Sequence, residues 1–122
     1  KQNKKNLKLF GTGKPLREFI NVKDLGEAIF CCLKISKKKI RNEFKTKMPI
    51  INVGTGENIS ILKLSKIISK LTGFEGKIIF DNSFPDGTLK KNLNLKRIKK
   101  FGWYPKIKLK DGLKEVINSR LY

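Results

Sequence analysis

Apolar residues recur along the chain at two spacings. From Val22 onward, Leu25, Ala28, Ile29, Cys32 and Leu33 return every three or four positions, which predicts an amphipathic helix facing a core along that stripe. Asn21 or Asp24 can start this helix, and the lysines from Lys37 suit its negative end. Ile61, Leu64, Ile67, Ile68 and Leu71 mark a second helix, with Ser60 placed to cap it and Gly73 placed for a left-handed ending. Its third position is Lys63, so there is no capping box. Leu95, Ile98 and Phe101 predict a short helix opened by Asn94 and closed by Gly102, and Leu109, Leu113, Val116, Ile117 and Leu121 a final one.

Between the helical stretches stand short, unbroken apolar runs. Ile50, Ile51, Asn52 and Val53 stop at Gly54 ahead of a helix, the pattern of a buried parallel strand. Lys77, Ile78, Ile79 and Phe80 predict a second strand, running from Gly76 into the turn-rich loop 82–87. Leu7 to Phe10 reads as a short extended piece ending at Gly11, and Phe19 and Ile20 as a brief buried strand or link. Residues 36–48 lack periodicity and predict a loop or frayed helix end. The class is α/β, or α+β in isolation, with most of a sheet lacking.

Composition narrows this picture. A chain of 122 residues suits one domain with a core, here residues 9–122 behind a polar, basic arm at 1–8. No apolar run approaches the roughly 20 residues needed to cross a bilayer, and the polar start carries no signal segment, so a soluble, cytoplasmic protein is expected. The chain begins at Lys1 and its only methionine is Met48, so it reads as a piece of something longer. Adjacent Cys31 and Cys32 suit core thiols better than a disulfide or metal site. With no histidine, nucleophile pairs and metal sites built on imidazole are excluded within the chain.

The net charge of +19 would suit a polyanion binder. Its lysines are spread over every segment, densest at 1–8, 37–47 and 96–100, and accompany abundant isoleucine and asparagine and a single alanine, Ala28. A solvated lysine-rich surface accounts for that pattern.

Candidate chemistry gathers at residues 10–24, where a turn with Gly11, Gly13 and Pro15 leads to Arg17. Arginine's rigid fork of donors suits phosphate or carboxylate, although pairing with neighbouring Glu18 is an equal alternative from residue chemistry alone. Gly54-Thr55-Gly56 follows an apolar run, but the third glycine of a dinucleotide loop would fall at Ile59. Tyr104 and Lys108 satisfy Tyr-x-x-x-Lys only formally, because Gly102 and Pro105 make that stretch a corner rather than a helix interior.

Arg17-Glu18-Phe19-Ile20-Asn21-Val22, then Ile51-Asn52-Val53-Gly54-Thr55-Gly56, then Phe84-Pro85-Asp86-Gly87-Thr88, then Phe101-Gly102-Trp103-Tyr104 follow one another in a specific order. Together they resemble the C-terminal, substrate-binding part of extended short-chain dehydrogenase/reductases, and within them the GDP-L-fucose synthase family. The resemblance covers nearly the whole chain but only the last third or so of a full-length enzyme. It implies that Arg17 contacts the diphosphate or nucleoside of a GDP-sugar. It also implies that Phe10 stands where relatives often carry tryptophan, and that Lys77 replaces an arginine reaching the nucleotide, with loss of the bidentate grip. Asp86 and Lys91 align with polar positions that could meet ribose hydroxyls or phosphate. Lys23 and Asn94 replace acids common in relatives, as second-order changes.

The family's cofactor loop, its Ser-Tyr-Lys set and its epimerising Cys and His are absent from this stretch. The resemblance therefore implies an inactive fragment, with NADP(H) bound by a missing N-terminal Rossmann portion and a homodimer as the full enzyme. Two other readings stay open: a fragment of another sugar-nucleotide epimerase or dehydratase, and a small basic nucleic-acid-binding module. An isolated fragment of this kind is expected to be marginally stable, since the run at 50–53 wants sheet neighbours.

Overall fold

The computed structural model describes residues 6–44 and 48–119. Residues 1–5 of the basic arm, residues 45–47 and Leu121 lie outside the described residues. Two parallel strands from distant parts of the chain, β1 (Asn6–Phe10) and β4 (Lys77–Asp81), pair in register from Asn6 opposite Lys77 to Phe10 opposite Asp81. The strand thus begins inside the expected arm, and residues 6–8 are sheet. A second, antiparallel pair is minimal: β2 (Leu16–Arg17) against β3 (Ile59–Ser60). Of the two alternatives for Phe19 and Ile20, the link forms, running into the first helix.

Five helices complete the described residues: α1 (Val22–Leu33), α2 (Lys37–Glu43), α3 (Ile61–Thr72), α4 (Lys96–Lys100) and α5 (Leu109–Asn118). Asn21 caps α1, its side-chain oxygen accepting from the Lys23 amide at 2.8 Å. Asp24 has another use. Only 1% exposed, it accepts from the backbone amides of Lys106 and Ile107 at 2.9–3.2 Å and ties α1 to the stretch before α5. Glu27 and Lys106 add an ion pair at 2.7 Å, and Glu27 pulls the Lys106 ammonium pKa upward. Ser60 caps α3 through the Lys63 amide, and Gly73 ends it at φ 65°, as the punctuation of the sequence requires.

Residues 36–48 depart from expectation, because α2 forms there. Three lysines in its first turn oppose the helix dipole, but Ser36 caps it, a Lys100–Glu43 ion pair holds its end, and Arg97 lies over the Phe44 ring at 4.6 Å. Tertiary contacts override a poor local pattern.

The core consists of Ala28, Leu95, Ile98 and Trp103, with Ile20, Cys31, Cys32, Ile51 and Val53 packed against it. Burial, aided by Cys31, pushes the Cys32 thiol pKa up and makes it a poor nucleophile. The expected stripe of α1 is only partly used. Ala28 and Cys32 face the core, whereas Leu25, Ile29 and Leu33 lie exposed along with Val22 and Phe30. Residues 50–53 likewise form no strand. Ile51 and Val53 reach the core, but among the described residues no strand lies beside them, so their backbone has no ladder to join.

Candidate functional site

Both β1 and β4 deliver their carboxyl ends to the same edge, where ligands bind in open α/β sheets. The Gly11 amide donates to the Asp81 carbonyl at 2.9 Å and prolongs the pairing by one residue. Gly11 (φ 77°) and Gly13 (φ 73°) then turn the chain through the left-handed region. Neither has room for a side chain: a Cβ on Gly11 would strike the Asp86 carboxylate, and one on Gly13 would come 2.5 Å from the Phe80 ring.

The loop after β4 lies across this turn. Asp86 accepts from the Thr12 amide at 2.8 Å and from the Thr12 hydroxyl at 2.5 Å, and the same hydroxyl accepts from the Lys14 amide at 3.2 Å. These bonds, with the charges of Lys14 and Arg17 nearby, hold the Asp86 carboxyl below its usual pKa. Arg17, half-buried, donates through Nη1 to the Leu16 carbonyl at 2.8 Å and the Thr88 carbonyl at 2.7 Å. Its other guanidinium nitrogens make no hydrogen bond among the described residues. The Leu16 amide donates to the Leu89 carbonyl at 2.8 Å. At the rim, the exposed Phe10 ring packs on Phe84 with centroids 4.1 Å apart. Asp81 pairs with Lys8 at 2.6 Å and accepts from Ser83, which brings its carboxyl down to about 2.

Three residues singled out in the sequence thus come together: Phe10, Arg17 and Asp86. Lys91 stands exposed at the same edge, next to Lys90, which bridges to Leu16. Lys77 does not join them. It opens β4 opposite Asn6, four strand steps from Asp81, or about 13 Å. Three clefts of about 450 Å³ lie elsewhere: one between α3 and the segment leading into α5, one between β1 and α3, and one between α1 and residues 102–106. The first carries charge of its own, with Glu57, Lys63, Lys106, Lys108 and Lys110 in its lining; the loop cluster differs in fixing a guanidinium at the carboxyl ends of two parallel strands.

Arg17 and Glu18 form no ion pair. Glu18 instead accepts from the Gly56 amide at 2.6 Å and from the Thr55 hydroxyl at 3.4 Å, and its carboxylate fills the space a side chain on Gly54 would need. The glycine turn at 54–56 is an anion cradle occupied by the chain's own carboxylate. Its Gly56 amide is given to Glu18 rather than presented to a dinucleotide phosphate. Tyr104 and Lys108 both precede α5, with Lys108 at its cap position, so no helical turn brings them together. Sequence reasoning gave no role to Thr12 or Thr88 and offered Glu18 only as a partner for Arg17. The signal available for Glu18 was the amide-rich turn at 54–56, which needs an acceptor.

This arrangement of strand pair, glycine turn and crossing loop matches about a third of each of several GDP-sugar reductases. A GDP-6-OMe-4-keto-L-xylo-heptose reductase from C. jejuni superposes with a TM-score of 0.84 at 36% identity, over 94% of this chain and 33% of that one. A GDP-mannoheptose C4 reductase from Campylobacter jejuni with NADP bound gives 0.76 at 34% identity, over 93% and 34%. The chain is a relative of these extended short-chain dehydrogenase/reductase enzymes. Among curated proteins it is similar to the GDP-L-fucose synthases: the probable GDP-L-fucose synthase 1 of Oryza sativa subsp. japonica is 36% identical over 107 residues, 88% of this chain and 30% of that protein. The chain thus spans about a third of the length of the relatives it matches. No family model matches it.

Proposed function

We propose that the chain is the GDP-sugar-binding portion of an NADPH-dependent GDP-4-keto-6-deoxy-mannose 3,5-epimerase-4-reductase that makes GDP-L-fucose. The observation that carries this reading is Arg17, fixed by the Thr88 carbonyl at the carboxyl edge of two parallel strands with donors still available. A planar fork held in this way suits a diphosphate and costs little ordering on binding. Phe10 would cover the base or sugar, Asp86 and Lys91 would line the diphosphate side, and Lys77 would act only from the far end of β4. Anchoring the nucleotide end aligns the sugar for chemistry performed by other groups.

Those other groups would belong to a Rossmann portion outside this chain, which would also hold NADP(H), in an enzyme that works as a homodimer. The exposed apolar side of α1 and the unpaired run 50–53 are where that portion would seat. On this reading the chain alone turns nothing over.

Thermal unfolding with GDP, UDP or an oligonucleotide tests the proposal. GDP should raise the midpoint of the wild-type chain, and Arg17→Ala should weaken GDP by about tenfold, the loss of one charge-assisted contact. Equal protection by UDP would instead favour another sugar-nucleotide epimerase. Protection by oligonucleotides alone, with a steep salt dependence, would establish the basic-module reading.

A further inference from the structure

We infer that Asp86 is a positioning residue: by holding the amide and hydroxyl of Thr12 it locks the turn after β1 to the loop after β4, and so sets Phe10 and Arg17 for a nucleoside diphosphate. The inference rests on the GDP-sugar reading above and assigns Asp86 a role different from the direct contact to ribose hydroxyls or phosphate that the resemblance implies. Both of its carboxylate oxygens are engaged within the chain by one residue, Thr12, 74 positions away. Gly11, with no side chain and a left-handed backbone, leaves the carboxylate room beside the turn. Thr12 is itself held, since its hydroxyl accepts from the Lys14 amide.

The placement of Asp86 in its loop is what gives the lock a consequence. Two residues before it, Phe84 packs on Phe10; two residues after it, the Thr88 carbonyl receives Arg17. Asp86 therefore sits between the two contacts that define the receiving edge. A free carboxylate there would repel a diphosphate, and one saturated by Thr12 repels it less.

Calorimetric binding of GDP and of inorganic diphosphate to the whole chain tests this. Asp86→Ala should weaken both ligands by the same factor, about tenfold. Thr12→Val, which removes the hydroxyl bond and keeps the amide bond, should weaken both by a smaller common factor, whereas Thr12→Ser should bind like wild type. The double variant should be no weaker than Asp86→Ala alone, because that change already removes the whole lock. Asp86→Leu, of similar size and without an acceptor, stands in if Asp86→Ala fails to fold, and a thermal midpoint close to wild type separates positioning from general loosening. A loss confined to GDP, with diphosphate unaffected, would overturn the inference in favour of a direct nucleoside contact, and so would additive losses. If the wild-type chain binds neither ligand, the GDP-sugar reading fails. Amide exchange at Thr12 and Leu16 then decides the lock itself, faster exchange in the Asp86 variant upholding it and unchanged exchange overturning it.

Discussion

The edge where β1 and β4 end and the outer side of α1 are opposites. At the first, the described acids have partners inside the chain: Asp86 on Thr12, Asp81 on Lys8 and Ser83, and Glu18 on Gly56. At the second, Val22, Ile29, Phe30 and Leu33 stand exposed, Leu33 at 78%. Polar groups that satisfy one another define a shape without help, whereas an apolar face gains its free energy only when something covers it. One region is finished within these residues and the other is half of a contact.

Three changes probe that contrast. The strongest is Gly13→Ala, which places a methyl group 2.5 Å from the Phe80 ring on a left-handed backbone. Strain and overpacking together should cost about 2–4 kcal/mol in chemical denaturation. A cost near zero would show that the edge is looser than its contacts imply. Acid titration should have a smaller effect. Because the Asp81 carboxyl is held at about 2 in the folded chain, against an ordinary 3.8, its contribution is complete above 3.8 and fades as the pH falls toward 2. Asp81→Asn should flatten stability over that window and leave the part due to Asp86, whose pKa is lowered in the same direction. The smallest effect belongs to α1. Leu33→Ser should change stability by less than about 0.5 kcal/mol, because there is no buried contact to lose. A clear destabilisation would mean that the α1 face is already covered, for instance by self-association, and a concentration-dependent midpoint would reveal it.

What the sequence revealed follows the same division. Ser60, Gly73, Gly102 and the β-branched run before Asp81 act locally, and the elements they announce stand where expected. The run 50–53 failed as a strand because a parallel strand is a property of its neighbours. The α1 stripe was read as wholly inward because periodicity reports which side is apolar and not whether anything lies against it. At the site, Arg17 was legible as an arginine after a glycine turn. Its true partner, the Thr88 carbonyl, was not, because side-chain chemistry does not specify which backbone oxygen a fold brings within 2.7 Å. Pairing of Glu18 with Arg17 stood as an equal alternative for the converse reason, since adjacency in sequence suggested a pair that the turn at 54–56 outcompetes.

The parallel pairing of β1 with β4 also has a consequence in time. Thr12 must wait for a partner 74 residues downstream, and at translation rates of roughly 5–20 residues per second that delay is about 4–15 seconds. Throughout that interval the emerging β1, with Leu7, Leu9 and Phe10, lacks the partner that β4 supplies. Chaperones that recognise short apolar stretches would find it there, and a pulse of synthesis arrested before Lys77 should leave the nascent chain open to proteolysis at β1.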